Sequence, residues 1–140
     1  GHGDTHRLHL DDMVLVKDNH LRVVGSVEEA IRRVKESISF AKKIEVEVTS
    51  TEDALKATRA GADVVMLDNF SPQQISRTLA IMTKKNVRNR VLVEASGGIT
   101  IRNILQYART GVDIVSVGEI THSVKSLDMS LEVTGIEELR

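Results

Sequence analysis

Apolar positions along the chain follow two alternating periods. Residues 13–17, 43–48, 64–68, 90–96 and 113–118 form short β-branched runs that read as strands. Between them, residues 26–41, 51–60, 72–84 and 101–109 carry the wider spacing of amphipathic helices. Ser26 with Glu29, and Ser71-Pro72 with Gln74, are spaced as capping boxes that satisfy orphan donors at a helix start. Gly61 and Gly111 suit left-handed helix stops. Strand, helix and strand at this spacing predict parallel βα units, an α/β fold. The segment Arg59-Ala60-Gly61-Ala62-Asp63-Val64-Val65 is echoed fifty residues later by Arg109-Thr110-Gly111-Val112-Asp113-Ile114-Val115. That spacing fits two stacked βα units, and it equally fits two unrelated helix–glycine–strand joints.

Residues two apart in a strand share a face. Val14 and Val16, Ile44, Val46 and Val48, Val65 and Leu67, Val91, Val93 and Ala95, and Val115 and Val117 give every strand one aliphatic face. The opposite face is mixed, and its last member is polar or glycine: Lys17, Glu47, Asp68, Ser96 and Gly118. An open doubly wound sheet needs two apolar faces under its two helix layers. One dry face and one polar face fit part of an α/β barrel better, with ligands expected at the carboxyl ends of the strands. Lys43, Glu45, Arg90 and Glu94 then fall in or near the interior, where they are expected to neutralise one another as a structural ion network rather than to catalyse.

The length of 140 residues suits one domain, and 41% hydrophobic with 28% charged residues suits a globular core. A formal net charge of -1 argues against a polybasic nucleic-acid surface, and three aromatics are too few for a base-stacking platform. Without cysteine, disulfides, thiolate metal sites and cysteine nucleophiles are excluded. The apolar runs are too short to span a membrane, and no signal peptide opens the chain, so a cytoplasmic protein is expected.

Two glycine-bearing loops follow strand ends. Ser96-Gly97-Gly98 and Val117-Gly118 each expose backbone N–H groups ahead of an expected helix, an arrangement that binds phosphate on barrels. Four of the five histidines, His2, His6, His9 and His20, lie near the start without a recognised metal-ligand spacing. His6-Arg7 with Lys17 reads either as a cationic rim for carboxylates or as a solvated basic loop.

Together these segments resemble the quinolinate phosphoribosyltransferase family, also called nicotinate-nucleotide pyrophosphorylase (carboxylating). The resemblance rests on His6-Arg7-Leu8, on Met13-Val14-Leu15-Val16-Lys17-Asp18-Asn19-His20 and on Ile44-Glu45-Val46-Glu47-Val48. It continues through Met66-Leu67-Asp68-Asn69-Phe70-Ser71-Pro72, Glu94-Ala95-Ser96-Gly97-Gly98-Ile99-Thr100, Gly111-Val112-Asp113, Val117-Gly118 and Thr121-His122-Ser123. These motifs span nearly the whole chain in the family's order. The resemblance implies an enzyme of NAD biosynthesis that joins quinolinate to phosphoribosyl pyrophosphate, giving nicotinate mononucleotide, pyrophosphate and carbon dioxide. By that resemblance His6 and Arg7 would hold the quinolinate carboxylates, and Lys17 would add positive charge between the substrates. Glu47 and Asp68 would address the ribose hydroxyls and a magnesium ion, directly or through water. Ser96, Gly97, Gly98 and Gly118 would take the 5-phosphate.

The family also implies a homo-oligomer, and an N-terminal domain that supplies further cations and precedes the position of Gly1. This chain therefore looks like the C-terminal portion of the catalytic barrel, with open strand edges. Glu119 stands where the family has a small neutral residue, and its side chain is expected to turn away from the phosphate. Two other readings stay open. One is a phosphate-binding barrel isomerase or aldolase with Lys17 as the candidate Schiff-base lysine, and the other is an inert fragment or scaffold.

Overall fold

The computed structural model describes Gly3, His6, His9, residues 12–121 and Val133. Five strands alternate with helices: β1 (Met13–Val16), α1 (Asp18–Val24), α2 (Val27–Ser37), β2 (Lys43–Val48), α3 (Thr51–Ala60) and β3 (Val64–Asp68). The series continues with α4 (Pro72–Lys84), β4 (Leu92–Ser96), α5 (Ile104–Ala108) and β5 (Ile114–Val115). Single 3-10 turns at Arg88–Arg90 and Gly118–Ile120 precede β4 and follow β5.

The strands lie in sequence order, each parallel to its neighbours. A doubly wound sheet reverses its order at a switch point. This sheet does not, and a succession of right-handed crossovers leaves its helices on one face. That face is the aliphatic one: Val16, Ile44, Val46, Val48, Val65, Leu67, Val93 and Ala95 share a core with Ile31 of α2, Ala54 and Ala57 of α3, and Ile75 and Met82 of α4. Among the described residues no helix is long and apolar enough to cross a membrane.

Local chemistry sets most boundaries. Ser50 Oγ accepts from the Asp53 N–H at 3.0 Å to start α3, and Gly61 ends it at φ 85°. Ser71 and Gln74 form the reciprocal box expected at the head of α4. Ser26 makes only half of its box, because the Glu29 carboxylate turns to Arg32 and Arg33 instead. The helix expected over 26–41 stops at Ser37, where fully exposed Phe40 offers no apolar grip for another turn. The helix expected over 101–109 shrinks to α5, since Ile101 and Leu105 are exposed rather than packed. Helix α1 was not foreseen. It has no fully buried residue, and with Leu21 and Val24 partly buried against the core its apolar stripe in the sequence is short.

The fifty-residue echo is a structural repeat. The Asp63 N–H donates to the Ile44 carbonyl at 2.9 Å, and its Oδ2 accepts from the Ile44 N–H at 2.8 Å. Asp113 does the same with Val93, at 2.9 and 2.7 Å. In both copies a left-handed glycine, Gly61 or Gly111, turns the chain into this clamp. Arg88 reinforces the second copy at 2.8 Å. Burial opposes ionisation of Asp113, but Arg88 and the Val93 N–H together hold its carboxyl below the ordinary range. Asp113→Ala removes the acceptor for a strand N–H and the partner of Arg88. We expect it to lower stability in chemical denaturation by about 1–3 kcal/mol, and by more than Arg88→Ala does.

Candidate active site

The polar face of the sheet is organised in layers. In an eight-stranded barrel of shear eight, alternate strands are offset by about two residues, so β2 and β4 share layers and β1, β3 and β5 lie between them. The register runs from Glu45 to Val64 to Leu92, so a flat sheet would set Glu45 beside Leu92. Glu45 instead meets Glu94, and ligand atoms of Glu45, Glu94 and His6 all lie within 4.8 Å of one another. That advance is the barrel's stagger. The same offset brings Glu47 level with Ser96, and Lys17 level with Asp68 and Gly118, at the strand ends.

The deeper layer is a closed cluster. Glu45 and Glu94 are both 0% exposed. His6 Nε2 lies 3.3 Å from Glu45 Oε1 and 3.2 Å from Glu94 Oε2. The Ser116 hydroxyl donates to Glu94 Oε1 at 2.5 Å, while among the described residues Glu45 Oε2 has no hydrogen-bond partner. Burial first, and then the neighbouring Glu94 charge, push the Glu45 carboxyl up to about 7 against the pull of His6. Lys43 and Arg90, expected in this network, are exposed, and among the described residues His6 is the basic side chain that faces both carboxylates.

The outer layer is the mouth. Lys17 caps α1 and is exposed, and Glu47 and Asp68 are half-buried at the ends of β2 and β3. Burial raises the Glu47 carboxyl, Asp68 and Asp18 raise it further, and Lys17 opposes them. Burial also raises Asp68, with Asn69 and Lys17 pulling it down and Asp18 adding repulsion. The four charged side chains therefore act on one another as a group.

Next to Asp68 stands Asn69, left-handed at φ 57°, whose amide donates to Asp68 Oδ2 at 2.6 Å. Its backbone N–H donates to the Ser96 carbonyl at 2.9 Å, tying the β3 end to the first glycine loop. A Cβ on Gly97, at φ +87°, would stand 2.3 Å from Asn69 Oδ1 and 2.7 Å from Asn69 N. Among the described residues the N–H groups of Gly97 and Gly98 meet no protein acceptor.

The loop does not run directly into a helix, as the sequence suggested. The Thr100 N–H is taken by Asn103 Oδ1 at 2.8 Å, and the Ile101 N–H by Glu119 Oε2 at 3.1 Å. Glu119 thus reaches from the second glycine loop onto the first, and its carboxylate does not turn away from it. Gly118 opens the 3-10 turn beside that contact. Arg7, His122 and Ser123 lie outside the described residues.

The family model for the quinolinate phosphoribosyl transferase C-terminal domain matches residues 1–132. The chain belongs to that family. It is 52% identical over 137 residues to a probable nicotinate-nucleotide pyrophosphorylase (carboxylating) of Methanothermobacter thermautotrophicus, covering 98% of this chain and 49% of that protein. It is 41% identical over 133 residues to the human nicotinate-nucleotide pyrophosphorylase (carboxylating), covering 95% and 44% respectively. Among solved structures, the nicotinate-nucleotide pyrophosphorylase from Francisella tularensis superposes with a TM-score of 0.76 at 42% identity, covering 91% of this chain and 43% of that one. The chain spans about half the length of the curated relatives it matches. Within this family domain, sequence reasoning missed Asn69, Asp18 and Ser116 as members of the site. An Asn directly after a strand-end Asp was the available signal for the first, because Asn tolerates the left-handed turn.

Two outcomes follow from this geometry. Between the ordinary carboxylate range and about 7, folded Glu45 holds a proton that the unfolded chain has released, so stability falls as pH rises through that window. Glu45→Gln removes the fall. The melting-temperature difference, variant minus parent, should grow from pH 5 to pH 8; a constant difference refutes the assignment. At the loop, Gly97→Ala should destabilise by about 1–3 kcal/mol in chemical denaturation. Gly98→Ala, where a Cβ meets nothing within 4 Å, should cost less.

Proposed function

We propose that the protein carrying this chain transfers a phosphoribosyl group from phosphoribosyl pyrophosphate to quinolinate, releasing pyrophosphate and carbon dioxide to give nicotinate mononucleotide. The observation that carries this reading is the Glu47–Asp68 pair at adjacent strand ends, flanked by Lys17 and joined through Asn69 to Gly97. Departure of pyrophosphate leaves positive charge on the sugar, and carboxylates held beside it stabilise that charge as it develops. Asn69 keeps the Asp68 carboxylate turned to one side for this task. The free N–H groups of Gly97 and Gly98, with Ser96 and Gly118 alongside, hold the 5-phosphate and so fix the sugar. His6 and Arg7 grip the quinolinate carboxylates, and Lys17 bridges the two anionic substrates. Holding both in attack geometry supplies much of the remaining rate.

The donor set also fits magnesium. Glu47 and Asp68 are two half-buried carboxylates, close enough that the Asp68 charge raises the Glu47 carboxyl, the hard-oxygen environment this cation takes. They would hold it directly or through water, and the ion would neutralise charge on the leaving pyrophosphate. Lys17, His6 and Arg7 face two polyanions and two acidic side chains. Further cations from the rest of the protein, in a homo-oligomer, complete the balance. The aldolase-type reading is disfavoured because Lys17 is exposed among carboxylates rather than in the dry apolar pocket that activates a Schiff-base lysine.

Asp68→Asn in the whole protein should lower kcat about 10²–10³-fold while the quinolinate KM changes little, because the lost charge acts mainly in the transition state. Steady-state kinetics with both substrates measure this. An unchanged kcat with a raised quinolinate KM would remove Asp68 from the assigned role.

A further inference from the structure

The buried layer beneath the mouth holds more than a structural ion network requires. His6 lies 39 residues from Glu45 and 88 from Glu94 in sequence, yet one ring nitrogen faces both carboxylates. Its backbone is held at φ 62°, a conformation that a non-glycine residue adopts at a cost. Glu94 is itself pinned, since its second oxygen accepts the 2.5 Å bond from Ser116. The imidazole is clamped from inside by a chain of three elements, with Ser116 following β5, Glu94 on β4 and Glu45 on β2. About a third of the His6 side chain, 31%, remains open.

We propose that Ser116 and Glu94, with Glu45, are positioning residues that hold a proton on His6 Nε2 and so turn the ring's other edge toward the quinolinate carboxylates, to which the Nδ1–H of the doubly protonated ring donates. This rests on the reading of His6 as a quinolinate contact. A ring nitrogen that donates into a fixed carboxylate keeps its proton and its orientation through that bond, which leaves the second ring nitrogen as the donor that an anionic carboxylate requires. The Ser116 hydroxyl stops the Glu94 carboxylate from rotating away. Without it the carboxylate loses one of two partners and the imidazole loses a fixed acceptor. Ser116 and Glu94 act through His6 and do not themselves touch the substrate.

The test uses Ser116→Ala, Ser116→Thr and Glu94→Gln in the whole protein, with two readouts. Steady-state kinetics should show the quinolinate KM raised about tenfold in Ser116→Ala and Glu94→Gln, with kcat and the phosphoribosyl pyrophosphate KM within about twofold. Ser116→Thr keeps the hydroxyl and should restore the parent KM. Nitrogen-15 NMR of the His6 ring should show a directly bonded proton on Nε2 in the parent and in Ser116→Thr, and its loss or exchange broadening in Ser116→Ala and Glu94→Gln. The NMR readout needs no substrate, so it separates failure of this proposal from failure of the proposed reaction. An Nε2 without a proton in the parent, as when a divalent ion sits between the three groups, overturns the proposal. So does a fall in kcat equal to the change in KM, or a failure of threonine to rescue.

Discussion

Two carboxylates on the concave face of the sheet must be kept out of water without being left alone. An isolated buried ion costs several kcal/mol even after its surroundings relax. Glu45 and Glu94 are fully buried, and neither Lys43 nor Arg90 reaches them. The chain answers with one imidazole and one hydroxyl. Because His6 comes from the start of the chain and Ser116 follows the last strand, this cluster ties both ends of the described sheet to its middle. It forms only if alternate strands are staggered as in a barrel, since the flat register would set Glu45 beside Leu92. The charge cluster and the curvature therefore require each other.

The strands divide their labour by face. Valine, isoleucine and leucine side chains lie under the helices, where dispersion and burial hold the layers together. The opposite face is mixed, with Val64 and Met66 buried beside charged groups, and its polar positions are the ones that can hold chemistry. Where each strand ends, the next residue matters. Asn69 takes a left-handed turn that a β-branched residue would resist, bonds Asp68 with its side chain, and bonds the Ser96 carbonyl with its backbone. Gly97 then has to be glycine twice over, once for its positive φ and once because Asn69 fills the space of a Cβ.

Residue periodicity carried the fold because packing on one face is a local property of each strand. The bounds of β2, α3, β3 and α4 were legible for that reason, and Ser50, Ser71 and Gly61 punctuate two of them directly. Legibility failed at α1, α5 and β5, where the helices have no fully buried residue and an edge strand has one partner. The candidate site followed the same division. Strand-end positions Lys17, Glu47, Asp68 and Ser96 could be read from alternation alone. The partner of Glu45 and Glu94 could not, because it depends on which distant residue the stagger brings between them. Nor could the turn of Glu119 onto the Ile101 N–H, a contact between two loops 18 residues apart whose geometry no single segment encodes.

The mouth of the site poses one further electrostatic question. Among the described residues Asp18, Glu47 and Asp68 outnumber Lys17 there, so these side chains repel the anionic substrates of the proposed reaction before they can help them react. The repulsion is a ground-state cost, while the carboxylates' benefit appears only when positive charge develops on the sugar, and interactions of that kind raise turnover rather than binding. Binding must then come from elsewhere, from backbone N–H groups at Gly97 and Gly98 and from cations around the rim. Glu119 narrows that supply, because it already occupies the Ile101 N–H that would otherwise face an anion. In the proposed reaction, a domain arranged in this way would supply the transition-state half of the electrostatics, and the ground-state half would come from backbone N–H groups and cations brought to the same mouth.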